Sequence, residues 1–76
     1  MTLKILYQVI HRNDAWHVLK GKSKTSEGRF ECKADAVERG RELAMREEIG
    51  QLRIAQLDGS VESESIYGKD PSLIEG

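Results

Sequence analysis

The stretch that decides the fold covers residues 33–57 and reads KADAVERGRELAMREEIGQLRIAQL. In its first part, small and apolar residues recur at spacings of three and four, which is typical of a helix face that packs on a core. This spacing predicts a helix over residues 33–48, with Cys32 as its N-cap and Gly50 as its C-cap signal. A strand over residues 51–57 follows. The apolar stripe of the helix consists of Ala36, Val37, Gly40, Leu43 and Ala44.

Gly40 lies in the middle of this predicted helix. A glycine there costs about 1 kcal/mol relative to alanine. We expect a close approach of the helix to a sheet to offset that cost.

Upstream of the helix the chain predicts a β-hairpin. Residues 3–12 are rich in apolar and β-branched side chains, Asn13-Asp14 is a turn signal, and residues 16–19 resume strand composition. The segment GKSKTSEG at 21–28 is small, polar and basic, and we interpret it as an exposed loop. Residues 29–31 are interpreted as a short extended piece that carries Phe30 into the core.

Downstream, Asp58-Gly59 is a strong hairpin signal, and residues 61–67 form a polar fourth strand at an edge of the sheet. Residues 69–76 are interpreted as a loose C-terminal tail. The element order is therefore β-β-α-β-β. It predicts an α+β fold in which one helix packs on one face of a four-stranded, mainly antiparallel sheet, and residues 1–76 form a single small domain.

Composition narrows the class of protein. The 76 residues are 38% hydrophobic and 33% charged, with a net charge of −1, as in a soluble globular chain. No apolar run is long enough to span a membrane, and Lys4, Gln8 and His11 interrupt any signal-peptide core. The single cysteine suits a reducing compartment. We therefore expect a cytoplasmic protein without a membrane partner.

Five short motifs stand out along the chain: Trp16-His17-Val18, Cys32-Lys33-Ala34-Asp35-Ala36, Gly50-Gln51-Leu52-Arg53-Ile54, Asp58-Gly59-Ser60-Val61 and Tyr67-Gly68-Lys69-Asp70-Pro71. In this order and spacing they resemble a small bacterial family catalogued as domain of unknown function 2188. The family usually has Thr or Ser where this chain has Cys32, and often a His where Ala55 stands. The resemblance implies a compact intracellular bacterial domain and supplies no activity or cofactor.

No motif points to catalysis or to a cofactor. Cys32 at a helix N-terminus could have a lowered pKa, but one thiol without a partner base is more often a cap residue. His11 and His17 could face each other across the hairpin, yet no further ligands accompany them at metal-site spacing. We predict that the protein is not an enzyme and binds no metal.

Basic residues concentrate in the first part of the chain. Residues 1–33 hold seven basic and three acidic side chains, a net +4, whereas residues 34–76 carry a net −5. Such a basic pole could contact phosphates while an aromatic ring stacks on a base. We keep weak nucleic-acid binding as the alternative function, with Trp16, Lys20, Lys22, Lys24, Arg29 and Lys33 as the contact residues.

Odd- and even-numbered positions of the first strand both carry apolar residues, so both faces of the first hairpin are apolar, which favours a different function. One helix covers one sheet face, so a second apolar face needs cover, and a two-fold dimer would supply it. Alternatively, Phe30 and Leu73-Ile74 fold back over that face. We favour a binding or accessory module that acts through protein–protein interaction, as a homodimer and with a further partner not identified. Its predicted dimer face is Ile5, Tyr7, Val9 and Leu19.

Overall fold

The structure, a computed structural model, describes residues 4–21 and 25–68. It confirms the α+β class, with one helix packed on a sheet. The sheet has five strands, not the four predicted, and it is mixed. In chain order the elements are β1 (Lys4–Arg12), β2 (Ala15–Lys20), β3 (Thr25–Phe30), α1 (Lys33–Arg46), β4 (Ile49–Ala55) and β5 (Val61–Gly68).

The strand order across the sheet is β3-β2-β1-β4-β5. β1 and β4 are parallel, and the other neighbouring pairs are antiparallel. Because β3 runs antiparallel to β2, it points in the same direction as β1. The helix α1 then returns the chain along the sheet, so β4 must enter parallel to β1. A crossover helix of this kind is what a parallel pair requires.

The additional strand, β3, covers part of the segment predicted as an exposed loop. Its sequence TSEGRF is polar and contains a glycine, which is poor strand composition. It pairs along β2 from Trp16–Phe30 to Lys20–Thr25, with a register shift between Val18 and Leu19. Backbone pairing with the apolar β2 thus overrides the local composition. The predicted strand over 61–67 is confirmed as the edge strand β5, whereas the predicted tail over 69–76 lies outside the described residues.

The first hairpin turns through Asn13 and Asp14, whose φ angles are 53° and 61°. Two consecutive residues of positive φ between antiparallel strands match the two-residue type I′ turn, and Asn and Asp tolerate that conformation better than other non-glycine residues. The predicted hairpin is therefore confirmed. It places His11 directly opposite Trp16 and His17 opposite Ile10.

The helix packs its small-residue stripe on the sheet. Ala36, Gly40 and Ala44 are buried, and Val37 and Leu43 pack against the same core. A Cβ atom at Gly40 would come within 2.8 Å of Leu52 Cδ1 and 3.2 Å of Val9 Cγ2. The close approach expected for Gly40 is confirmed. The buried core between the helix and the sheet consists of Tyr7, Val9, Trp16, Val18, Ala36, Ala44 and Leu52.

The C-terminus of the helix corrects the prediction for Gly50. The C-cap is Glu47, whose backbone N–H donates to the Ala44 carbonyl oxygen. Gly50 lies in β4 instead, and a Cβ atom there would overlap the backbone carbonyl of Ala44. Its missing side chain thus allows β4 to pass under the last turn of α1. The helix ends earlier than the predicted residue 48, and β4 starts earlier than the predicted residue 51.

Candidate interaction surface

The predicted dimer face does not form one exposed surface. Tyr7 and Val9 are 2% and 0% exposed beneath α1, and Ile5 packs against the same core. Leu19 points to the other face of the sheet, away from α1, and is itself buried. Tyr7 and Val9 are therefore core residues of one protomer, Ile5 packs against that core, and Leu19 is buried on the other face of the sheet. The prediction was wrong because it assigned the helix to the other face of β1.

The face of the sheet away from α1 is the one that the described helix leaves open. Leu6 and Ile10 are half-buried on it, beside Leu19. Apolar residues thus occur on both faces of the first hairpin, as the sequence indicated. Phe30, which was offered as a cover for this face, packs instead on the helix side, against the core. Leu73 and Ile74 lie outside the described residues.

Trp16 is the aromatic residue of the predicted nucleic-acid surface, and its ring is already occupied. It is 8% exposed and belongs to the core under the helix. The Lys33 ammonium lies 5.3 Å from the ring centroid, and His11 meets the ring edge-on at 5.0 Å between centroids. The Nζ of Lys33 also lies 2.5 Å from Glu62 Oε1. The indole therefore offers no free face on which a base could stack.

The cations predicted to accompany Trp16 diverge. Lys20 is opposite Tyr7 on the face of the sheet that α1 covers, with its Nζ 3.9 Å from Glu47 Oε2. Arg29 is opposite His17 on the other face of the sheet. Lys22 and Lys24 lie outside the described residues. The structure therefore does not gather Lys20, Arg29 and Lys33 into one basic patch.

A cleft of about 470 Å³ lies where the N-terminus of α1 meets the turn between β4 and β5. Asp58 in that turn accepts hydrogen bonds from the Ser60 N–H at 2.9 Å and the Ser60 hydroxyl at 2.7 Å, which lower the pKa of its carboxyl. The charged groups that line the cleft therefore already have partners within the same chain: Asp58 bonds to Ser60, and Lys33 pairs with Glu62. The lining residues are Trp16, Lys33, Gln56, Leu57, Asp58 and Glu62.

The side chains considered as metal ligands or as a nucleophile, His11, His17 and Cys32, do not form one site. His11 is on the helix side, whereas His17 is on the other face, with its Nε2 3.1 Å from the Arg12 carbonyl oxygen. Among the described residues, no three metal-ligating side chains come together. Cys32 occupies the predicted N-cap position in extended conformation, exposed and without a side-chain cap hydrogen bond.

At the opposite end of α1, a partly buried hydrogen bond joins the helix to the sheet. The Tyr7 hydroxyl donates to Glu47 Oε2 at 2.6 Å, just beyond the last helical turn. Burial of the phenol, reinforced by this bond to a carboxylate, raises the pKa of Tyr7 well above its ordinary value. The pair therefore has a structural role, since it fixes the end of the helix over β1.

The most exposed element of the sheet is its edge strand β5. All six residues from 61 to 66 are exposed, and among them Val61 and Ile66 remain 51% and 45% accessible. Within the described part of the chain no strand pairs with its outer side. The sequence identified this edge from its polar composition. It did not show that the strand also carries two exposed large apolar side chains, although VESESIYG contains that signal.

The two glutamates of β5 contact cations or amides of their own chain. A register shift between Ile54 and Ala55 leaves Glu62 as the extra residue of the strand, and its carboxylate reaches Lys33 at the start of α1. Glu64 accepts a hydrogen bond from Gln51 Nε2 at 2.5 Å. Its other oxygen lies 3.3 Å from Arg53 Nε, outside hydrogen-bonding geometry. The charges of this edge are thus largely matched from within.

A family model matches residues 7–67, and its description reads "Uncharacterized protein conserved in bacteria (DUF2188)". The chain belongs to this family. The DUF2188 match starts within β1 and ends within β5, so it includes part or all of each of the six elements and confirms the resemblance noted in the sequence. No curated protein and no solved structure matches the chain.

Over residues 4–21 and 25–68, no helix has both the length and the apolar character needed to cross a bilayer.

Proposed function

We propose that this DUF2188 domain is a cytoplasmic protein-interaction module that acts by binding, not by catalysis, and that associates with a second copy of itself through β5. One observation carries the proposal. The edge strand is eight residues long, is exposed from 61 to 66 and presents Val61 and Ile66 to solvent. An exposed edge strand offers unpaired backbone groups to another chain, and apolar side chains on it add a favourable burial term.

Charge normally protects such an edge, because a charged side chain must be desolvated when a second strand approaches. In β5 both charged residues already have partners. Glu62 pairs with Lys33, and Glu64 contacts Gln51 and Arg53. A second strand would therefore approach a nearly neutral edge. These internal pairs support association through β5.

The other edge of the sheet is less suited to pairing. β3 has six residues against the eight of β5, and the register shift in its ladder with β2 falls mid-strand, whereas the shift in β5 falls near the start of that strand. A Cβ atom at its Gly28 would collide with the Phe30 ring, so the strand also keeps a residue with low intrinsic strand preference. From Ser63 to Gly68, in contrast, β5 pairs regularly with β4. The edge with the longer uninterrupted ladder, residues 63–68 of β5, is the better template.

Two further observations support binding over catalysis in a reducing compartment. Cys32 is an exposed free thiol, which persists best where thiols stay reduced. Among the described groups that could act in acid–base chemistry, His11 and His17 lie on opposite faces of the sheet.

The test is the molar mass of the protein by light scattering over a dilution series from millimolar to low micromolar concentration. We expect a reversible shift from twice 8.6 kDa towards 8.6 kDa on dilution. Because edge pairing buries a small area, we expect a weak, concentration-dependent dimer. The Ile66→Glu variant should shift the equilibrium to monomer, since it places a carboxylate on the pairing edge.

Met45→Glu is the matched control, because it makes the same change at an exposed apolar residue of the helix, 55% accessible. It should dimerise as the wild type does. A wild type that stays at 8.6 kDa at the highest concentration would overturn the proposal. So would an equal effect of the two variants, which would place the contact elsewhere.

A further inference from the structure

The sequence of β5 also specifies how two copies would align, an inference that rests on the proposed self-association. We infer that the two β5 strands pair antiparallel about a two-fold axis at Ser65, so that Ser65 lies opposite the partner's Ser65. Seven residues of each strand, 62–68, then find a described residue opposite them. This geometry extends two five-stranded sheets into one continuous sheet.

The alternation of side chains between the two faces of β5 sets the first condition on how the two strands align. Ser65 lies opposite the buried Leu52, and Tyr67 packs against the core, so these residues point to the helix side. Glu64 and Ile66 point to the other face. Directly opposite residues in an antiparallel pair share a face. A two-fold axis through a residue pair therefore places both helices on the same side of the joined sheet.

Charge sets the second condition. A register centred on Glu64 would put Glu64 directly opposite the partner's Glu64, and one centred on Ser63 would put Glu62 opposite the partner's Glu64. Like charges directly opposite each other destabilise a strand pair. The register centred on Ser65 sets Glu64 opposite the partner's Ile66 and Glu62 opposite the partner's Gly68. In this register no glutamate lies directly opposite another carboxylate, and Glu64 meets the partner's Glu64 only as a diagonal neighbour, about 7–8 Å away along the joined strands.

Length sets the third condition. A register centred on Ile66 also separates the glutamates, but it pairs only residues 64–68 of the described strand. The register at Ser65 uses two more residues on each side of the interface. It also sets Ser63 opposite the partner's Tyr67, so a small side chain faces a large one on the helix side. Small residues facing large ones allow two surfaces to interdigitate.

Cysteine cross-linking tests this register directly. In a Cys32→Ser background, Ser65→Cys should form an intermolecular disulfide on mild oxidation, because directly opposite Cα atoms lie about 4.5–5.5 Å apart, within the range of a disulfide. Ser63→Cys is the matched control on the same face of the strand. In the inferred register it sits four residues along the strands from its counterpart, about 13 Å, and it should cross-link at least tenfold more slowly.

Self-association and the register of the two β5 strands are separated by these measurements. A wild type that is monomeric by light scattering overturns the proposed function together with the register. A concentration-dependent dimer in which Ser65→Cys does not cross-link faster than Ser63→Cys overturns the register alone. Selective cross-linking of Ser65→Cys, with the dimer lost in Ile66→Glu, supports both.

Discussion

At Gly50, one absent methyl group decides how closely β4 runs beneath the end of α1. A Cβ atom there would overlap the Ala44 carbonyl, which belongs to the backbone and cannot rotate away. At Gly40 the nearest obstacle is a methyl group of Leu52, which can shift. Two glycines that look alike in sequence therefore differ in what surrounds them.

We predict that Gly50→Ala lowers the free energy of unfolding by about 3 kcal/mol or more, in the range of severe backbone and packing conflicts. Gly40→Ala should cost less, because better helix propensity recovers about 1 kcal/mol of the packing strain. Urea unfolding of both variants checks the order. Equal stability of Gly50→Ala and wild type would contradict the overlap.

Tyr7 should make stability depend on pH in the alkaline range. Its pKa is raised in the folded state, so above pH 10, near the ordinary phenol pKa, the unfolded chain loses this proton first. Stability from the Tyr7–Glu47 bond is then fully present below pH 10 and is lost as the pH rises further.

Comparison with Tyr7→Phe isolates this contribution. The variant should be less stable than wild type by about 1–2 kcal/mol at pH 8, the cost of a lost hydrogen bond to a carboxylate. The difference should shrink by pH 11, as followed by urea unfolding at each pH. A difference that stays constant over this range would contradict the raised pKa.

The contact of Lys33 with Trp16 can be read by fluorescence, since the chain has one tryptophan. Lys33→Ala should expose the ring, shift the emission to longer wavelength and cost about 0.5–1 kcal/mol, because the ammonium is partly solvated. The control is Arg39→Ala, which removes an exposed ion pair with Glu42. An unchanged emission in Lys33→Ala would contradict the contact.

At the scale of elements, β5 differs from a protected edge because its charges are matched within the chain. Substituting Ile66 by charges of opposite sign tests whether a charge meets this edge. In the inferred register residue 66 faces the partner's Glu64, so Ile66→Lys should retain dimerisation at low salt whereas Ile66→Glu abolishes it. Sedimentation equilibrium of both variants distinguishes them. Equal weakening by the two substitutions would show that no carboxylate faces this position.

The elements also show why sequence predicted some features and missed others. The α1 stripe of Ala36, Gly40 and Ala44 and the turn at Asn13-Asp14 depend on local spacing and local conformation, and both were predicted. β3 was missed because its polar residues form a strand only through pairing with β2. Its identity is therefore set by a neighbour and not by its own composition.

At the scale of the whole molecule, the main error was the face of the sheet. Alternation showed that Ile5, Tyr7 and Val9 share one side, but alternation alone does not say which side the helix covers. The structure places them under α1 and leaves the edge β5 as the exposed feature. Likewise, clustering of basic residues along the chain did not predict that Lys33 would lie over Trp16 and pair with Glu62.

The central claim is that β5 is where this domain meets its own second copy. An amide-resolved NMR dilution series tests it most directly, because each backbone N–H reports its own surroundings. We predict concentration-dependent shifts confined to residues 61–68 and to neighbouring residues of β4, with α1 and β3 unmoved. A spectrum that does not change with concentration, or shifts that appear on the helix or on β3 instead, would contradict the account.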